Sequence, residues 1–101
     1  VTSAKRSAAL PDVPTMAEAG FKGQEADTLQ GVFVPAGTSK AIVNKIAADI
    51  KRLMAVAETK QRVQELGFDI VASTPEEFAA QVKNEVEKWG KVIKDAGIRA
   101  D

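Results

Sequence analysis

Between residues 40 and 56 the apolar side chains Ile42, Val43, Ile46, Ala47, Ile50, Leu53 and Met54 recur at three- and four-residue intervals, with Lys45, Asp49, Lys51 and Arg52 falling between them. That spacing follows the 3.6-residue turn and predicts an amphipathic helix with one core-facing stripe. The turn Pro35-Ala36-Gly37-Thr38-Ser39 leads into it, with Thr38 or Ser39 as N-cap. A shorter helix over about 58–66 is predicted to bury Val63 and Leu66 and to stop at Gly67. The clearest local signal is Ser73-Thr74-Pro75-Glu76-Glu77. Thr74 stands as N-cap, Pro75 at the first helical position, and Glu77 where it closes a capping box. A long helix starts there, with a stripe of Phe78, Val82, Val86, Trp89, Ile93 and Ala96 and an i,i+4 pair from Glu87 to Lys91, and Gly97 ends it.

Shorter patterns predict strands. Leu29-Gln30-Gly31-Val32-Phe33-Val34 is a compact apolar run closed by Pro35 and reads as a strand buried on both faces. Phe68-Asp69-Ile70-Val71-Ala72 alternates as a strand does, and Val1-Thr2-Ser3-Ala4 resembles the end of one. The two prolines of Leu10-Pro11-Asp12-Val13-Pro14 forbid helix and favour an ordered loop. Thr15-Met16-Ala17-Glu18 then forms a capping box for a helix of one or two turns, stopped by Gly20. Strands separated by helices predict an α/β class with parallel pairing. Two complete strands and a frayed beginning are too few for a self-sufficient parallel sheet, so the chain reads as a piece of a larger body.

Composition narrows the class further. With 101 residues, 45% hydrophobic and 28% charged, the chain has a globular balance and room for one domain with a modest core. Fourteen basic and fourteen acidic side chains cancel without any block of like charge, which leaves no footprint for nucleic acid. The absence of cysteine fits a reducing cytosol and equally a periplasmic protein without disulfides. Histidine is absent as well, which removes the commonest general base and zinc ligand; neither metal nor cofactor is expected. No apolar run approaches the length of about 20 residues that a membrane helix needs. The chain starts without methionine or signal-like regions and reads as a processed form or a fragment.

Each candidate for chemistry has a plainer reading. Glu76 and Glu77 are adjacent on a helix and point apart, and both sit where a helix N-terminus favours negative charge, so they cap rather than catalyse. Lys5 and Arg6 have the chemistry to grip an anion, with a solvated loop pair as the favoured reading. Gly31 and Gly37 match neither phosphate-loop spacing, although amides at the start of the following helix suit an anion. Trp89 falls on the apolar stripe and reads as core. No serine has a partner base, so no catalytic residue is assigned and an enzyme is not expected.

Five stretches carry a resemblance. They are Val1-Thr2-Ser3-Ala4-Lys5-Arg6-Ser7, Leu10-Pro11-Asp12-Val13-Pro14-Thr15, Ala17-Glu18-Ala19-Gly20, Phe33-Val34-Pro35-Ala36-Gly37-Thr38 and Trp89-Gly90-Lys91-Val92-Ile93. In this order they make the chain resemble the carboxy-terminal third of the Bug family, the extracytoplasmic solute receptors of tripartite tricarboxylate transporters. The resemblance implies a partial type II periplasmic binding-protein fold, α/β in class, consisting of a hinge segment and part of one three-layer lobe. Residues 1–35 would end the second lobe and cross the hinge, and residues 36–101 would complete the first lobe as helix, strand and helix.

The function so implied is that of a periplasmic receptor fragment for a small carboxylate, delivered to the permease subunits of a membrane transporter. Binding would come from lobe closure around the ligand, and a fragment alone is expected to bind poorly. Ser3, Asp12 and Thr28 are the residues placed nearest the cleft, by their position in the hinge region alone. Two departures stand out: Leu29 where the family often has an aromatic residue, and Ser39 where it usually has proline. The rival reading is an α/β interaction module without a small ligand, which associates with itself or a partner through exposed faces or an unpaired strand edge.

Overall fold

The computed structural model describes residues 1–100 and contains three helices. Helix α1 spans Lys40–Met54, α2 spans Ala57–Glu65 and α3 spans Pro75–Asp95. Each begins and ends close to where its local chemistry demands. Of the two cap candidates for α1, Ser39 takes the role: its hydroxyl accepts the Ile42 N–H at 3.4 Å, while the Thr38 hydroxyl donates back to the Pro35 carbonyl at 2.8 Å. At α3 the capping box is complete, with the Glu77 N–H donating to Thr74 Oγ1 at 3.2 Å and the Thr74 N–H to Glu77 Oε2 at 2.8 Å.

The helix ends repeat one device. After α2, Gly67 takes a positive φ of 82°, its N–H reaches the Gln64 carbonyl and the Phe68 N–H reaches that of Val63. After α3, Gly97 (φ 64°) and Ile98 bond to Lys94 and Ile93 in the same way. This pair of bonds is the Schellman motif, which needs a left-handed residue and is commonly accompanied by an apolar residue just beyond it. A glycine followed by Phe68 or Ile98 supplies both.

Residues 1–28 form a loop tied to itself. Thr2 is bonded twice to Ala26, its hydroxyl donating to the Ala26 carbonyl at 2.8 Å and its carbonyl accepting the Ala26 N–H at 3.0 Å. The terminal ammonium of Val1 donates to the Pro14 carbonyl at 2.7 Å, and the Met16 N–H returns to Val1. The helix expected after Thr15 is reduced to a single turn ending at Gly20. Its capping box is nevertheless present, Glu18 N–H to Thr15 Oγ1 at 3.1 Å and Thr15 N–H to Glu18 Oε2 at 2.8 Å.

The expected α/β architecture is overturned. No strand and no sheet occur among the described residues, so the partial three-layer lobe is not formed by this chain. The run at 29–34 and that at 68–72 follow irregular paths, and Val1 to Ala4 bends. The physical reason is that a strand is stabilised by a neighbour's backbone. Within residues 27–34 and 69–73 no backbone group makes a hydrogen bond among the described residues. A helix closes its bonds within its own segment; a strand cannot.

The expected core is also missing. Thr15, 5% exposed, is the sole buried residue among those described, and no hydrophobic side chain is buried. Leu66, expected inside, is 66% exposed, as is Val86 on the expected α3 stripe. Of the expected α3 stripe, Phe78, Val82 and Trp89 are half-buried, together with Pro75 and Glu85, whereas Val86, Ile93 and Ala96 are exposed. The accessible surface is 8382 Å² and the radius of gyration 16.4 Å. A compact domain of this mass exposes about 5,500 Å² and has a radius near about 13 Å. Helices α1, α2 and α3 touch lightly, α1 meeting each of the other two.

Candidate functional site

The densest polar arrangement lies in the amino-terminal loop and is built on Glu18. Arg6 Nε donates to both Glu18 oxygens, at 2.9 and 3.2 Å, and another guanidinium nitrogen donates to the Pro11 carbonyl at 3.0 Å. The same carboxylate accepts the Thr15 N–H. Four segments of the loop, at residues 6, 11, 15 and 18, are thereby drawn to one point. The hydrogen bond from Arg6, followed by that from Thr15, holds the Glu18 carboxyl below the ordinary carboxylate range, against a smaller opposing effect of desolvation. Arg6 is therefore not the freely solvated side chain that its sequence neighbourhood indicates. The Thr15–Glu18 box was legible from spacing; the partner twelve residues upstream had no local signal.

Of the three residues expected near a ligand, Ser3 is half-buried and its hydroxyl donates to the Lys5 carbonyl at 2.8 Å. Asp12 and Thr28 are exposed, and their side chains make no hydrogen bond among the described residues. The two hydrogen bonds between Thr2 and Ala26 lie next to Ser3 and two residues before Thr28. Asp12 belongs to the separate turn closed by the Val13 N–H on the Leu10 carbonyl. None of the three lines either of two shallow surface depressions. One of these is bordered by Ser7, Gln64 and Asp69, the other by Lys51, Ser73 and Thr74. No group of residues suited to hold a metal ion occurs among those described.

Sequence reasoning missed what joins the middle of the chain to α3. The Phe33 and Phe78 rings lie 5.3 Å apart at 55°, and Gly31 approaches the same Phe78 ring so closely that a Cβ would collide with it. A glycine inside an apolar run is the signal for such a close approach. Farther along α3, Lys88 Nζ reaches the Glu25 carbonyl and sits 5.1 Å from the Trp89 ring centre. The Trp89 indole N–H donates to Glu85 at 2.6 Å, so the ring is half-buried with its polar edge satisfied rather than deep in a core. The expected Glu87–Lys91 pair is replaced by Lys91–Asp95, equally an i,i+4 contact.

With this geometry in place, comparison with known proteins settles the family. The sequence profile described as tripartite tricarboxylate transporter family receptor matches residues 1–98. The chain belongs to this family. It is 37% identical over 102 residues to a UPF0065 protein of the tcbD-tcbE intergenic region in Pseudomonas sp. (strain P51), covering 100% of this chain and 30% of that one. A UPF0065 protein of the TAR-I ttuE-ttuC' intergenic region in Agrobacterium vitis is 34% identical over 100 residues, with 96% and 29% covered. Protein BugT of Bordetella pertussis is 26% identical over 99 residues, with 98% and 30% covered. The chain thus spans about three-tenths of the length of these relatives. The receptor family consists of extracytoplasmic solute-binding proteins rather than enzymes, in agreement with the resemblance drawn from the five motifs. No helix of the described residues is long and apolar enough to cross a membrane.

Proposed function

We propose that this chain is part of a periplasmic receptor that captures a small carboxylate and presents it to the permease of a tripartite tricarboxylate-type transporter. The observation that carries the reading is the family match across residues 1–98, almost the whole chain, with the amino-terminal motifs intact. Residues 1–35 supply the hinge-side segment and residues 36–101 the lobe-side segment. The self-tied loop of residues 1–28 supports this division, because most of the bonds that hold this long irregular stretch lie within it, with Lys88 of α3 adding a contact at the Glu25 carbonyl. Ser3 and Thr28, close to the Thr2–Ala26 bonds, and Asp12 on its exposed turn face the ligand cleft of the assembled receptor.

A receptor of this kind closes two lobes over its ligand, and the closed population grows by the differential affinity of the ligand for it. The 101-residue chain alone has only surface depressions and is expected to bind citrate, glutamate or nicotinate no more tightly than millimolar, which isothermal titration calorimetry measures directly. Micromolar binding by the isolated chain would overturn the requirement for further receptor polypeptide. In a receptor of the relatives' full length, Thr28→Ala and Asp12→Ala are expected to weaken carboxylate binding. Unchanged affinity in both would remove these residues from the site.

A further inference from the structure

The segment that carries Thr28 is fastened to α3 at two points. At one end Lys88 Nζ donates to the Glu25 carbonyl, its ammonium 5.1 Å from the centre of the Trp89 ring. Ala26, next in the chain, is held by its two bonds to Thr2. At the other end Gly31 lies against the tip of the Phe78 ring, where a Cβ would come within 2.1 Å of Cζ, and the Phe33 ring meets the same ring at 5.3 Å and 55°. Residues 27–30 between these fastenings are exposed, and none of their backbone groups is hydrogen-bonded among the described residues. Phe78 and Lys88 are separated by about 15 Å along the helix axis, and the chain from Glu25 to Gly31 reaches at most about 20 Å when fully extended. The segment therefore runs along α3 against its direction and has little slack.

We propose that Phe78 and Lys88 are positioning residues: together they hold residues 25–33 on α3 as a strap and so fix the place from which Thr28 reaches the carboxylate. This role rests on the reading of the chain as part of a carboxylate receptor. The two fastenings differ in chemistry. Glycine at position 31 admits the Phe78 ring at this distance, because a Cβ there would overlap three atoms of the ring. Lys88 gives the Glu25 carbonyl a charged donor, and a charge-assisted hydrogen bond is roughly twice as strong as a neutral one. With no backbone bonds of its own, the stretch 27–30 takes its shape from these ends. A segment held beforehand loses less conformational freedom when a ligand binds, and the affinity rises accordingly.

The first measurement is the amide order parameter of residues 27–30 in this chain, from nuclear magnetic resonance relaxation. Values near about 0.85 are expected in the wild-type chain, falling below about 0.6 in Phe78→Ala and in Lys88→Ala alike. Lys91→Ala, which removes only the Lys91–Asp95 pair, leaves them unchanged. Where Phe78→Ala lowers the helical circular dichroism, Gly31→Ala replaces it, since it drives off the same ring without altering α3. The second measurement is calorimetry on a receptor of the relatives' full length with the tightest-bound of citrate, glutamate and nicotinate. Lys88→Ala weakens binding about three- to tenfold, the factor that ordering a loosened segment costs. Lys88→Arg, which keeps a donor for the Glu25 carbonyl, stays within about twofold of the wild type. Low order parameters in the wild-type chain, or values that either fastening variant leaves unchanged, overturn the strap. Loosened residues 27–30 with unchanged binding in Lys88→Ala overturn the positioning role where Thr28→Ala still weakens binding. If Thr28→Ala leaves binding unchanged, the placement of Thr28 in the ligand site fails instead, and the order parameters still decide the strap.

Discussion

Glu18 does two jobs with one carboxylate: it completes the capping box of Thr15 and receives the Arg6 guanidinium on both oxygens. Both contacts favour the ionised form, which is why its carboxyl lies below the ordinary range in the folded loop. The sign of the pH effect follows. Above the ordinary carboxylate value the charged Glu18 holds the loop at full strength, and that stabilisation is lost as pH falls through the lowered folded value. The loop of residues 1–28 is thus expected to open on acidification before the helices respond. Amide resonances of Thr15 and Glu18, followed by nuclear magnetic resonance, should titrate together with a midpoint below that of an ordinary glutamate. Glu18→Gln should abolish this transition and leave the loop open at neutral pH. A Thr15 amide that titrates with an ordinary midpoint would show that the Arg6 contact does not hold in solution.

At the scale of elements, what is local in origin was legible and what is non-local was not. Thr74, Pro75 and Glu77 announce the start of α3, and Gly67 and Gly97 announce two ends, because every bond involved spans five residues or fewer. Removing one such signal has a defined effect. Thr74→Ala leaves the Glu77 N–H without its acceptor and should destabilise α3 by about 1 kcal/mol, the typical loss for a capping hydroxyl. Urea titration of the helical circular dichroism measures it, and an unchanged midpoint would mean that the first turn of α3 frays in the wild-type chain as well. The same locality explains the failures. The runs at 29–34 and 68–72 have strand-like patterns, yet a pattern cannot provide the partner whose backbone makes a strand. The α3 stripe is covered only at Phe78, Val82 and Trp89 and open at Val86, Ile93 and Ala96, since the period fixes that a face exists while its neighbours fix how much of it is covered. The Arg6–Glu18 pair escaped notice for a related reason: the partner is twelve positions away and is brought near only by the turns between them. For the candidate ligand side, the sequence placed Ser3, Asp12 and Thr28 together by position alone; in the structure two hydrogen bonds join Thr2, beside Ser3, to Ala26, two residues before Thr28, while Asp12 sits in a separate turn.

On the scale of the whole molecule, the helices are well specified individually and weakly joined. With no hydrophobic side chain fully buried among the described residues, the chain has ordered its segments while hiding less of the surface that ordinarily drives folding than a compact domain does. The consequence is measurable because the sensitivity of unfolding to denaturant scales with the surface newly exposed. An unfolded chain of this mass exposes about 15,500 Å², and a compact native state hides about 10,000 Å² of it. With 8382 Å² still exposed when folded, only about 7,000 Å² remains to be uncovered. The urea slope of the dilute chain should therefore be about 0.7 of that of a compact domain of equal length. A slope at the full compact value in dilute solution would mean that Val32, Phe33, Leu66, Val71 and Val86 are covered within a single chain.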